Sequence, residues 1–128
     1  MFSHVMVGSN DLERSRKFYD ALFAATGGRP AREDEKGRLI YFHRGGLFMV
    51  TRPINGEPAT FANGGTIGFA MESEAEVDAW HKAGVENGGT AIESPPGYRQ
   101  GMLGPIYPAY LRDPDGNKLC AVYRKPAA

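Results

Sequence analysis

The sequence predicts an α+β fold: two βαβββ modules forming a paired, partly open mixed β-sheet cleft, with helices outside. Three observations predict it. The order strand, helix, three strands occurs twice, at a spacing of about 60 residues, in pattern more than in identity. The 17 glycines and 9 prolines among 128 residues impose many turns, hence short strands rather than a helical bundle. Finally, Asp113-Pro114-Asp115-Gly116 separates two apolar runs, Tyr107–Arg112 and Asn117–Tyr123, as a tight turn joining two strands. Neither module covers the inner face of its own sheet, so the two require each other and enclose a cleft.

In the first module, Phe2 to Gly8 reads as a buried strand with Phe2, His4 and Met6 on one face. Ser9-Asn10-Asp11 supplies N-cap residues. Leu12, Ser15, Phe18, Tyr19, Leu22 and Phe23 follow helical spacing, and Thr26-Gly27-Gly28 stops the helix. Arg29 to Lys36 is polar, an edge strand or loop. Arg38–His43 and Leu47–Arg52 form a hairpin about Arg44-Gly45-Gly46. The first module spans about residues 1–53, and a Gly-, Pro-, Asn- and Thr-rich linker about 54–64.

The second module, about 65–126, repeats this order within what reads as one domain. Gly65 to Met71 is a strand, and Ser73-Glu74-Ala75-Glu76 matches a capping box. Val77, Trp80, His81 and Gly84 line a helical face that ends at Asn87-Gly88-Gly89. Thr90 to Glu93 is a short strand, and Ser94 to Pro105 a loop before the final hairpin. On the last strand Lys118, Cys120 and Val122 share one face, and Leu119, Ala121 and Tyr123 the other.

Lys+Arg and Asp+Glu both total 15, so charge makes no case for nucleic acid or an anionic membrane. A single cysteine excludes an internal disulfide and suits a reducing compartment. Met1-Phe2-Ser3-His4 does not open a signal peptide, and no apolar run approaches the roughly 20 residues of a membrane span. The cytoplasm is the expected location. Nucleotide-binding loops and a GxSxG elbow are absent from the sequence.

His-Val-Met-Val at 4–7, Asp11-Leu12-Glu13-Arg14-Ser15 leading to Phe18-Tyr19, Gly65-Thr66 with Phe69, and Asp113-Pro114-Asp115-Gly116-Asn117 together resemble the vicinal oxygen chelate superfamily. That superfamily contains glyoxalases, bleomycin resistance proteins and extradiol dioxygenases. The likeness covers nearly the whole chain. Pro96-Gly97 followed by Arg99 is similar to a small glyoxalase-like subgroup. The resemblance implies a divalent-metal site on inward strand positions, falling here on His4, Ile67, Cys120 and the region of Met49 or Val50. Of these only His4 retains a usual ligand. Isoleucine carries no donor, and a catalytic site typically needs three protein ligands.

The expected function is therefore binding of a small organic molecule in the cleft, with the usual metal centre degenerate and no cofactor. The alternative is a lyase or isomerase, similar to lactoylglutathione lyase, using an altered divalent-metal site or a His4–Cys120 pair. His4 reads either as a cleft histidine held by a neighbour or as a surviving ligand or general base. Cys120 reads as a small buried hydrophobe or as a thiolate beside His4. Arg99 suits a carboxylate or phosphate on a ligand, or a solvated loop charge. Tyr107 and Tyr110 lie on opposite faces of one strand, so one of them looks inward; Met49 and Ile67 complete the expected lining. The resemblance also implies a homodimer with its sites formed across two chains.

Overall fold

A computed structural model of the chain describes residues 1–126. Among them, nine strands and two helices form the two expected βαβββ modules, the second with one additional strand. The first comprises β1 (Val5–Gly8), α1 (Leu12–Ala24), β2 (Arg32–Glu33), β3 (Leu39–His43) and β4 (Gly46–Thr51). The second comprises β5 (Ile67–Met71), α2 (Glu74–Glu86), β6 (Thr90–Ile92), β7 (Arg99–Gly101), β8 (Gly104–Arg112) and β9 (Lys118–Arg124). The sheet orders match: β1-β4-β3-β2 in the first and β5-β9-β8-β6 in the second, with β7 added on β8. In each module the first strand runs parallel to the last and all other pairs are antiparallel.

Local chemistry explains the helices. Asp11 caps α1, its carboxylate accepting from Arg14 N at 3.0 Å. Ser73 caps α2, its hydroxyl accepting from Glu76 N. The reciprocal half of the capping box is displaced, because Glu76 accepts from Glu72 N rather than from Ser73 N. Both helices end alike: Gly28 N donates to Phe23 O and Gly89 N to Gly84 O, each at 2.8 Å, with Gly27 and Gly88 at positive φ.

The sheets pack their helix-side faces on one continuous core. Val7, Leu39, Tyr41, Phe48 and Val50 come from the first sheet, and Ala109, Leu111, Leu119 and Ala121 from the second. Phe18, Tyr19, Leu22 and Phe23 of α1 and Val77 and Trp80 of α2 complete it. The modules meet through the two helices, which contact each other closely. Gly84 lets α2 sit close on its own sheet and on α1: a Cβ there would lie 2.2 Å from Leu111 Cδ1 on β8 and 3.3 Å from Leu22 Cδ1 on α1. The opposite face of each sheet carries no helix. Met6, Met49 and Phe42 alternate onto that open face in the first sheet, and Tyr110, Lys118 and Cys120 in the second.

Two expectations need correction. The first strand is an edge strand whose inward side is Val5 and Val7. Phe2 and His4 precede it and are exposed. The segment 94–105 is not all loop. Its centre forms a hairpin, Arg99 pairing with Ile106 and Gly101 with Gly104, and Gly104 takes φ 116°. Pro108 on β8 lies between the last β7 pair at Ile106 and the first β6 pair at Tyr110, so its missing N–H costs neither strand a bond.

Candidate functional site

The Asp-Pro-Asp-Gly turn joins the modules. Asp113 Oδ1 accepts from the N–H groups of Asp115 and Asn117, both at 2.9 Å, which closes the turn. Asp113 Oδ2 accepts from Tyr19 Oη at 2.6 Å and Asn117 Nδ2 at 2.8 Å. Asp115 reaches the start of α1, accepting from Asn10 N, Arg14 Nη2 and Ser15 Oγ. Asn117 Nδ2 donates to Gly8 O. These aspartates satisfy buried polar groups across the module boundary and carry no catalytic geometry.

The expected site residues divide between four places. Arg99, Tyr110 and Cys120 share the open face of the second sheet. Tyr110 and Cys120 are cross-strand partners, and Cys120 in turn faces Gly68 on β5. The Arg99 guanidinium lies 5.5 Å from the Tyr110 ring centroid, and Lys118 Nζ 5.2 Å from it. Arg99 Nη2 donates to Ser94 O and Pro95 O, which anchors the guanidinium, while Lys118 pairs with Glu93 at 2.5 Å. Burial pushes the Cys120 thiol up, an effect larger than the opposing pull of Lys118. Lys118 and its pairing had no signal in the sequence beyond their shared face with Cys120.

Tyr107 and Ile67 do not join this group. Tyr107 points to the helix side, where its hydroxyl donates to Asp78 Oδ1 at 2.8 Å. Ile67 also faces the helix side with Phe69 and Met71, so the β5 residues sharing the face of Cys120 are Gly68 and Ala70. The period-2 alternation accounts for both, since a one-residue step moves a side chain to the other face. Met49 lies on the open face of the first sheet, flanked by Met6 and Ile40.

His4 stands apart from Cys120, at the rim of a cavity of about 360 Å³ between the modules. Its Nδ1 is 2.8 Å from Ser3 Oγ. The cavity floor is aromatic, built from Phe23, Phe48, Phe69 and Trp80. His43 lines it with its Nε2 3.1 Å from Thr26 Oγ1, and burial followed by the charge of Arg44 lowers its pKa. The place of His43 at the end of a hairpin strand gives no hint, in the sequence, of the neighbouring module.

Among the described residues no three His, Cys, Asp or Glu side chains gather as a metal would require. The positions implied by the resemblance do not fit a divalent ion within one chain: Met49 and Ile67 supply no hard donor, and Ile67 faces away from Cys120. No described helix is long and apolar enough to cross a membrane.

Comparison with known proteins agrees with this architecture. A crystal structure of a glyoxalase/bleomycin resistance protein from Albidiferax ferrireducens T118 is 56% identical, with a TM-score of 0.93 over 97% of this chain and 99% of that one. A glyoxalase-related enzyme from Fulvimarina pelagi superposes at a TM-score of 0.71 and 21% identity, covering 97% of this chain and 88% of that one. The protein SA1046 from S. aureus superposes at 0.75 and 20% identity, covering 97% and 94%. These two remote likenesses speak to the fold alone. No curated protein matches the chain. The family profile described as Glyoxalase/Bleomycin resistance protein/Dioxygenase superfamily matches residues 1–121, and the chain belongs to that superfamily.

Proposed function

We propose that this chain binds a small organic molecule against the open face of its second sheet, without a metal ion. The observation that carries the reading is the group Arg99–Tyr110–Lys118 beside Cys120. Two cations lie against one tyrosine ring, and a single carboxylate, Glu93, balances them. That excess of positive charge over an aromatic surface suits a planar ligand bearing an acidic group, since a guanidinium grips carboxylates in two-pronged fashion. Gly68 opposite Cys120 leaves the floor without side-chain bulk: even a Cβ there would lie 3.2 Å from the sulfur.

A homodimer fits this reading. Phe42 on the open face of the first sheet is 64% exposed, and Met102 and Leu103 at the tip of the β7–β8 hairpin are 100% and 84% exposed; a second copy would cover such apolar side chains and close the site. The surroundings of Cys120 favour binding over thiol chemistry, because a thiol held protonated by burial is a poor nucleophile.

The test is thermal stabilisation by a panel of small aromatic carboxylates, benzoate and 1-naphthoate among them, with and without EDTA. A ligand at one hundred times its Kd raises stability by about 2.7 kcal/mol. The expected shift is indifferent to EDTA and lost in Arg99→Ala. Stabilisation that requires an added divalent ion would favour the lyase or isomerase reading instead.

A further inference from the structure

The cavity between the modules is built mainly on the helix side of the sheets. Phe23, Phe48, Phe69 and Trp80 line it, with Gly68 and Ala70 contributed by the β5 edge, while the proposed site lies on the far side of the second sheet. Phe23, Phe48 and Phe69 form a triangle of rings with centroids 5.5–5.9 Å apart, and Trp80 extends it at 6.2 Å from Phe69. Core aromatics normally meet one another on all sides. Here one side meets open space of about 360 Å³, with Met1–Val5 along the rim. Much smaller apolar cavities, about 150 Å³, take up benzene.

The guanidinium at the rim is already committed. Arg44 donates to Glu76 Oε1 at 2.8 Å and to Thr26 O at 3.4 Å, so its guanidinium is neutralised within the protein. His43 is held against Thr26 and edge-on to Phe23 at 5.7 Å. A charged ligand would find no free counter-ion among these groups, and its desolvation would go uncompensated. From these placements the geometry points to a second binding site, between the modules, for a neutral aromatic molecule of one or two fused or linked rings. The site is distinct from the acidic-ligand site on the open face, with Gly68 of the β5 edge between the two. Its occupant braces the junction, since Phe48 of one module and Phe69 of the other touch it together.

Trp80 makes the test direct. It is the single tryptophan of the chain and it lines the cavity. The probe is N-phenyl-1-naphthylamine, which is neutral and accepts energy from tryptophan. Titration into the full chain is expected to quench Trp80 saturably, with one probe per chain. Ile67→Phe, which adds bulk to the cavity wall, is expected to weaken that binding about tenfold, whereas Tyr110→Ala and Arg99→Ala on the other face leave it unchanged. Should Ile67→Phe fail to fold, Met71→Phe on the same wall makes the same comparison. Quenching that does not saturate, that survives both filling variants, or that disappears in Tyr110→Ala overturns the proposal. So does exclusion of the probe at every concentration.

Discussion

Tyr19 and Asp113 lie 94 residues apart in sequence and 2.6 Å apart in the fold, with the tyrosine hydroxyl donating to the carboxylate. Tyr19 is fully buried and Asp113 is 4% exposed. This bond ties the helix of the first module to the final turn of the second. Tyr19→Phe keeps the ring and removes the donor, leaving a buried carboxylate one partner short. The expected cost is about 1–3 kcal/mol of unfolding free energy, read by urea denaturation with an unchanged m-value.

Burial, outweighing the bonds from Tyr19 and Asn117, pushes the Asp113 carboxyl above its usual range. The folded chain therefore holds this proton more tightly than the unfolded chain. Its contribution to stability is greatest below the unfolded value and diminishes as pH rises through the raised folded one. Asp113→Asn removes that dependence. The deficit of the variant relative to wild type should shrink as pH rises above the ordinary carboxylate range, measured by denaturation at each pH.

A second tie between the modules has the opposite sign. Arg44 sits at positive φ in the β3–β4 turn and pairs with Glu76 in the first turn of α2, drawing that carboxyl from 4.5 down to about 2. The pair contributes fully above the unfolded pKa and is lost as pH falls from 4.5 through about 2. Its exposure limits the effect to roughly 0.2–1 kcal/mol. Glu76→Gln should lower stability at neutral pH by that amount and match wild type in strong acid.

Gly84→Ala opposes two effects. Alanine gains about 1 kcal/mol of helix propensity over glycine. The new methyl would meet Leu111 Cδ1 at 2.2 Å, and Leu111 is fully buried. Overpacking of that kind costs about 1–3 kcal/mol. A net loss of stability is expected by thermal denaturation; a gain would mean that α2 shifts freely on β8.

The repeat of the βαβββ pattern, both helix boundaries and the final hairpin were legible because turn chemistry and periodicity are local. The identical Phe23–Gly28 and Gly84–Gly89 closures were visible as rhyming glycines. The open faces were legible in part: alternation correctly opposed Tyr107 to Tyr110, but no local signal said that Ile67 faces the helices. The partners of Asp113 and Asp115 were hidden for a different reason. The sequence shows that these residues make a turn, and their short-range bonds to Asp115 N and Asn117 N follow from that. Their bonds to Tyr19, Ser15 and Asn10 depend on how one module docks on the other, which no window of the sequence contains. His43 and Trp80 meet at one cavity for the same reason.

Cys120 offers a check on the chemistry of the open face. With its thiol raised by burial and 7% exposed, alkylation by iodoacetamide should be slow in the folded protein and should accelerate on unfolding. Rapid alkylation of the native chain would restore thiol chemistry as a reading.

The central claim is that the Arg99–Tyr110–Lys118 group holds a small acidic aromatic ligand without a metal. Isothermal titration of the aromatic carboxylate panel, in EDTA, into wild type, Arg99→Ala and Tyr110→Ala tests it most directly. The account predicts binding by wild type that EDTA leaves intact and that either substitution weakens about tenfold or more, the loss of about 1.4 kcal/mol or greater. Absence of binding by every member, binding that requires an added divalent ion, or binding that both variants retain would contradict it.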